Sequence, residues 1–312
     1  MERQRQLEQL RDALRRACPD MELREREPMA NHTTFRVGGP AALMALPRTV
    51  GEARTALKTA RELEVDPFFL GNGSNLLVPD EGYEGFVLKL AGEMNQTREV
   101  NRRLEAGSAV LLSQLARAAL GRGLAGLEFA HGIPGSLGGA ITMNAGAYGG
   151  EMAQVVTAVT CLTRAGELET VPADRCAFSY RHSALSDGSR LILRVEFSLP
   201  QGDPEEIRAK IEDLARQRKA KQPLEYPSAG STFKRPPGHF AGGLIEQCGL
   251  KGYQIGGAQV SEKHAGFVIN TGGATCQDIL DLIHHVRQVV RDQTGVLLEP
   301  EVRLLGAAFR EP

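Results

Sequence analysis

Three side chains stand in settings suited to moving a proton or holding a charge. Ser231 lies between Gly230 and Thr232-Phe233, so its hydroxyl sits in a glycine-flexed turn that Lys234 and Arg235 follow. No Gly-x-Ser-x-Gly frame surrounds it, which excludes a hydrolase nucleophile elbow and leaves a turn-capping hydroxyl or a proton donor. Arg181, in Phe178-Ser-Tyr-Arg-His-Ser183, is expected just past a strand. There its guanidinium would either clamp a carboxylate through two parallel hydrogen bonds or rest on the surface. Glu301 is embedded in Leu297-Leu-Glu-Pro-Glu-Val-Arg-Leu-Leu305. Apolar surroundings would raise its pKa and suit it to proton handling, whereas a partner such as Arg303 would make it an ion-paired edge residue.

Two glycine-rich stretches add a binding function. Phe69-Leu-Gly-Asn-Gly-Ser-Asn-Leu-Leu-Val78 places Gly71, Asn72, Gly73, Ser74 and Asn75 at the end of an apolar run. His131 to Gly150 contains Gly132-Ile-Pro-Gly-Ser-Leu-Gly-Gly139 and Asn144-Ala-Gly-Ala-Tyr148, more glycine than a buried helix or strand would hold. Glycine lets main-chain N–H groups converge on an anion such as a diphosphate, and two such loops can close on one cofactor. Neither has the helix-opening G-x-G-x-x-G spacing of a dinucleotide-binding Rossmann turn.

These residues need a scaffold, and the chain has the size for two or three domains. It has 312 residues, 42% hydrophobic and 24% charged, with a formal net charge of -1. That balance excludes a polycation for nucleic acid or anionic lipid and leaves phosphate binding local. Five cysteines, at 18, 161, 176, 248 and 276, form no C-x-x-C pair, and His264 and the adjacent His284-His285 supply no metal-ligand set, so free thiols in a reducing cytoplasm and no metal are expected. The N-terminus lacks an apolar signal core and no run of about 18 apolar residues occurs, which points to neither secretion nor a membrane span.

Periodicity predicts a helix over 3–17 on Leu7, Leu10 and Leu14, then a β-α-β unit from the run 42–46, a helix over 50–63 and a strand over 67–70. A strand over 85–90 ends this part. Strands over 102–106, 155–163, 167–171 and 191–199 with a helix over 111–120 form the next. Asp203-Pro204-Glu205-Glu206 launches a helix to about Ala220. A last part has a helix at 244–248, a strand over 265–270, a helix over 275–292 and a strand over 296–305. The expected divisions are an N-terminal helix 1–20 and domains 21–84, 85–203 and 204–312, an α+β whole.

The ordered set Thr33-Thr-Phe-Arg-Val-Gly-Gly39, Gly71-Asn-Gly-Ser-Asn75, Gly132-Ile-Pro-Gly-Ser-Leu-Gly-Gly139, Asn144-Ala-Gly-Ala-Tyr148, Tyr180-Arg-His-Ser183, Gly230-Ser-Thr-Phe-Lys-Arg-Pro236, Gly256-Gly-Ala-Gln-Val-Ser-Glu-Lys-His264 and Leu298-Glu-Pro-Glu-Val-Arg303 closely resembles the UDP-N-acetylenolpyruvoylglucosamine reductases. The resemblance spans nearly the whole chain beyond residue 20. It implies an FAD-binding fold of the vanillyl-alcohol-oxidase type in two subdomains, with a C-terminal α/β domain over the substrate. It also implies a cytoplasmic flavoenzyme of peptidoglycan precursor synthesis, with noncovalent FAD and NADPH as co-substrate.

The resemblance marks Gly71 to Asn75, Gly135, Ser136, Gly138, Gly139, Asn144 and Gly146 as FAD-binding. Arg181 and a protonated Glu301 match the pair that stabilises the enolate formed when hydride reaches C3 of the substrate, and Ser231 matches the proton donor to C2. Lys221 matches a contact to the nucleotide diphosphate, with Arg235 as a second. Ser183 leads to Leu191 through only seven residues, which resembles the subgroup without the tyrosine lid. Two rivals share some of these features. One is an FAD oxidoreductase of the same fold acting on an alcohol or sugar; the other is a noncatalytic nucleotide-sugar binder.

Overall fold

The structure is a computed structural model that describes residues 2–100, 103–309 and 311. Two compact units emerge, and both are discontinuous in sequence. The first comprises Met1–Glu25, Ala42–Asn72 and Glu84–Gln217; the second, Arg26–Ala41, Gly73–Tyr83 and Arg218–Pro312. These divisions differ from those expected after residues 20, 84 and 203, because two short segments of the N-terminal third build part of the C-terminal core.

Specific contacts hold those segments there. A Cβ placed on Gly39 would lie 2.1 Å from the Asp80 carbonyl, so the segments 26–41 and 73–83 pack backbone to backbone. The Asp80 carboxylate accepts from the N–H groups of Cys276 (2.7 Å) and Gln277 (3.0 Å), satisfying donors that a helix N-terminus leaves open. Asn270 Nδ2 donates to the Phe35 carbonyl at 3.0 Å. Phe35, Val37 and Leu77 then share one core with Ile279, Leu282, Ile283, Val286 and Val290.

In the first unit, the helix Glu2–Ala17 buries Leu7, Leu10 and Leu14, and Val50–Glu62 buries Ala53, Ala56, Leu57 and Ala60. Both pack on a sheet ordered Glu22–Pro28, Pro40–Leu46, Tyr83–Leu88, Pro67–Phe69. The β-α-β unit is present, with Tyr83–Leu88 inserted between its two strands and parallel to Pro67–Phe69. The strand Glu22–Pro28 has no apolar alternation to announce it. It is a charged edge, where Glu25 takes Arg11 and Arg15 at 2.9 Å each.

A second sheet of this unit is antiparallel throughout, ordered Leu168–Pro172, Val156–Thr163, Arg190–Phe197, Arg103–Gly107, Thr97–Val100. The expected start of one strand at Arg102 lies outside the described residues. Alternate residues Val159, Cys161, Val195, Phe197, Leu104 and Ala106 face a core that also takes Leu137, Ala140 and Ile141. Those last three reveal that the glycine-rich stretch is not all loop, since Leu137–Thr142 is a short helix and Gly146–Ala147 pairs with Gly150–Glu151 as a hairpin. Tyr148 and Gly149 turn that hairpin with φ of 54° and 83°, the signs a two-residue turn of this hand requires.

The second unit centres on the helix Cys276–Thr294. Thr275 Oγ1 accepts from Asp278 N–H, Asp278 accepts from Thr275 N–H, and Gly295 ends the helix at φ 75°. It packs against an antiparallel sheet of Gln254–Ile255, Ala258–Val260 and Val268–Asn270. The strand expected over 296–305 is reduced to Arg303–Leu304, parallel to Leu76–Leu77. Pro300 accounts for this, because it lacks the N–H a continuous ladder needs. All five cysteines are free, and burial pushes the thiols of Cys161 and Cys276 up to about 12. Among the described residues no helix is long and apolar enough to cross a membrane.

Candidate functional site

In the first unit the two glycine loops touch. A Cβ on Gly71, which follows the strand Pro67–Phe69, would lie 2.5 Å from Ser136 Oγ and 3.9 Å from the Gly139 nitrogen. Ser136 stands at the N-cap of Leu137–Thr142 in extended conformation, yet its hydroxyl makes no capping bond. It is buried without a hydrogen-bond partner. Buried hydroxyls almost always have partners, and leaving one unpaired costs about 1–3 kcal/mol. A hydroxyl held this way, beside a residue with no side chain, is available to hydrogen-bond a ligand.

Not every glycine of the longer loop is free to serve that ligand. Gly138 N–H donates to the Ser108 carbonyl and Leu137 N–H to that of Val110, each at 2.8 Å. A Cβ on Gly138 would press Ser108 Cβ at 3.1 Å, and one on Gly146 would lie 2.7 Å from the Gly150 carbonyl. These two glycines shape the loop by close packing. Gly71 and Asn72 instead have N–H groups that donate to no backbone carbonyl among the described residues.

Asn144 takes a positioning role. Fully buried at φ 42°, it donates through Nδ2 to the Ser179 carbonyl at 3.2 Å and accepts at Oδ1 from Ala153 N–H at 3.0 Å. Ser179 and His182 exchange backbone bonds of 3.0 and 3.2 Å, which closes a tight turn with Tyr180 and Arg181 at its tip. Arg181 is therefore not on the flank of a strand, as expected, but in the turn itself at φ 56°. Its guanidinium lies 5.3 Å from the Tyr180 ring centre. Ser183, fully buried, fixes the exit by donating to the Thr142 carbonyl at 3.1 Å.

The second unit assembles the other chemical groups by main-chain pairing. Gly230 opens the Ser231 turn at φ 74°, with nothing near its missing Cβ, so the conformation alone demands glycine. Thr232 is the weld. Its N–H donates to Gly266 O at 2.8 Å, its Oγ1 accepts from Val268 N–H at 2.9 Å, and its carbonyl accepts from Glu301 N–H at 2.8 Å. Asn75 joins the same place, donating through Nδ2 to the Glu301 carbonyl at 3.0 Å and accepting from Arg303 N–H at 3.0 Å. Glu301 is thus paired with Thr232, the residue after Ser231, and precedes the strand rather than lying in it.

Gly73, at φ 61° with its absent Cβ 2.0 Å from the His32 carbonyl, brings Ser74 and Asn75 into this unit. Ser74 and Asn75 N–H groups also donate to no backbone carbonyl among the described residues. The two cations that follow the Ser231 turn have other contacts: Lys234 pairs with Glu299 and Arg235 lies 4.1 Å over the Phe240 ring. Lys221 is exposed at the end of the helix Pro204–Lys221. Sequence reading passed over Thr232 and Ser183, because a buried hydroxyl that serves only main chain leaves no pattern of its own.

The residues fit a flavin dinucleotide in chemistry: an orphaned hydroxyl, open N–H groups and glycines that no side chain could replace. Comparison with known proteins agrees. Residues 41–172 match the FAD binding domain, and residues 222–305 match the UDP-N-acetylenolpyruvoylglucosamine reductase C-terminal domain. A UDP-N-acetylenolpyruvoylglucosamine reductase of Caldanaerobacter subterraneus subsp. tengcongensis is 48% identical over 95% of this chain and 97% of its own length. One from Clostridioides difficile is 47% identical over 90% of this chain and 92% of its own. The crystal structure of the Thermus caldophilus enzyme superposes with a TM-score of 0.78 at 37% identity, covering 91% of this chain and 98% of that one. The chain belongs to the UDP-N-acetylenolpyruvoylglucosamine reductase family.

Proposed function

We propose that this chain reduces the enolpyruvyl group of UDP-N-acetylglucosamine enolpyruvate to give UDP-N-acetylmuramate, in cytoplasmic synthesis of peptidoglycan precursors. The observation that supports the reading is the main-chain bond from Glu301 N–H to the carbonyl of Thr232, the residue after Ser231. Gly71, Gly73, Ser74, Asn75, Ser136 and Gly139 would hold FAD, which when reduced by NADPH would supply hydride to C3. Every other task belongs to the chain.

Arg181 donates to the substrate carboxylate as charge builds on the enolate, and Glu301, protonated, donates to the same charge. Ser231 gives its proton to C2. Its hydroxyl donates to the Phe233 carbonyl at 3.2 Å at rest, so rotation about one bond redirects it. Asn144 and Thr232 act through the backbone, holding the Arg181 turn and the Glu301 segment. Glycine loops alone would equally serve an alcohol or sugar oxidase, but such an enzyme has no use for a proton donor to carbon.

The test is the visible spectrum. Purified protein should show bound flavin that NADPH bleaches and the enolpyruvyl nucleotide restores. A protein that stays colourless with FAD supports a noncatalytic binder, and a bleached flavin that the nucleotide leaves unchanged supports a different substrate.

Two further results are expected. Neither glycine loop offers a residue that the resemblance marks as a flavin attachment site, so acid precipitation should leave all flavin absorbance in the supernatant; colour in the pellet refutes noncovalent binding. Lys221→Ala should raise KM for the UDP substrate about 5- to 150-fold, the equivalent of a charge-assisted hydrogen bond. It should leave kcat nearly unchanged, because a diphosphate contact remote from C2 contributes alike to ground and transition states. A fall in kcat at constant KM would refute that assignment.

A further inference from the structure

The second unit holds its own orphaned hydroxyl. Thr34 Oγ1 is buried and has no hydrogen-bond partner, although buried polar atoms with none are rare. The neighbouring threonine shows the contrast: Thr33 Oγ1 donates to the Val37 carbonyl at 2.9 Å and closes the turn whose backbone bond runs from Arg36 N–H to Thr33 O at 3.2 Å. The turn is complete without Thr34.

Its location gives the hydroxyl a purpose. Thr34 N–H donates to the Gly73 carbonyl at 3.2 Å, so Thr34 lies against the loop that continues into Ser74 and Asn75. The approach is close enough that a Cβ on Gly73 would stand 2.0 Å from His32 O and 3.0 Å from Thr33 Cα. His32, which forms this wall, is pinned by Glu27 at 2.8 Å. Gly73 is therefore glycine because the Thr34 segment presses on it, and the segment is fixed on its far side.

We propose that Thr34 is a further cofactor-binding residue, its hydroxyl a hydrogen-bond partner for FAD beside Ser74 and Asn75. The inference rests on the flavoenzyme reading above. An unpaired hydroxyl is a burden to the apoprotein that the cofactor relieves. Thr34→Val, which keeps shape and removes the hydroxyl, relieves it without a ligand.

The experiment measures FAD affinity and thermal unfolding of full-length apoprotein, stripped of flavin, for wild type, Thr34→Val and Thr34→Ser. Thr34→Val should bind FAD about tenfold more weakly, the ratio for one lost hydrogen bond, while its apoprotein unfolds at the wild-type temperature or higher. Thr34→Ser, which keeps the hydroxyl, should bind within about threefold of wild type. Equal FAD affinity in wild type and Thr34→Val overturns the proposal. So does a Thr34→Val apoprotein that unfolds at lower temperature or fails to fold, since the hydroxyl would then be structural. Wild-type apoprotein that takes up no FAD overturns the flavoenzyme reading itself, a separate outcome.

Discussion

Replacing Ser231 with alanine is expected to slow reoxidation by the enolpyruvyl nucleotide about 10²–10⁴-fold, the range for loss of a positioned general acid, and to leave reduction by NADPH near the wild-type rate. The two halves separate because only the second delivers a proton to carbon. The fold should survive, since the turn is held by Gly230 and by the three bonds of Thr232, none of which involves the Ser231 side chain. A serine hydroxyl is a weak acid, and Lys234 and Arg235, bound to Glu299 and Phe240, do not strengthen it by contact. The basicity of the carbon being protonated must supply the drive. Stopped-flow absorbance in the flavin band follows each half separately, and reduced flavin should accumulate in turnover. Equal slowing of both halves, or of neither, would make Ser231 structural.

Helices were legible where one face of the sequence is apolar. Leu7, Leu10 and Leu14 mark the first, and Ile279, Leu282, Ile283, Val286 and Val290 the last, with Val289 half-buried at the margin. Antiparallel strands such as Val156–Thr163 and Arg190–Phe197 were legible for the same reason, at period two. Glu22–Pro28 was not, because an edge strand of charged residues carries no apolar signal. Nor were the discontinuous units, since nothing local tells that Asp80 will cap a helix beginning at Cys276. Such pairings are set by long-range packing.

The candidate site divides along similar lines. Glycines with a positive φ or a main-chain neighbour, such as Gly73 and Gly230, were visible by type, but sequence could not say which loop glycines meet a ligand and which meet Ser108 or Gly150. The residue types of Ser231 and Glu301 were visible; the pairing of their two segments is made by the N–H of Glu301 and the carbonyl of Thr232. Backbone atoms carry no sequence signature. Arg181 shows the limit most clearly, because its motif suggested a strand flank and its conformation is that of a glycine.

That conformation yields the last expected result: Arg181→Gly should cut turnover of the enolpyruvyl nucleotide about 10²–10³-fold, the cost of one donor to a developing oxyanion, without loss of stability. At φ 56° a side chain costs about 1–2 kcal/mol, which glycine recovers, and the extra freedom of glycine in the unfolded chain takes back about 0.5–1 kcal/mol. Losing the contact with the Tyr180 ring takes back about 0.5–1 kcal/mol more, so the net lies near zero. The turn keeps its closure regardless, because Asn144, His182 and Ser183 secure it through main-chain atoms and their own side chains. Arg181→Lys should fall between the two, keeping charge but not the planar fork that grips a carboxylate. Thermal unfolding and both half-reactions, measured on each variant, decide the matter. If Arg181→Gly unfolds at lower temperature or sheds its flavin, the residue is structural. If it turns over like wild type, the clamp lies elsewhere. Stability retained with the enolpyruvyl step lost is the signature of backbone strain kept for the sake of chemistry.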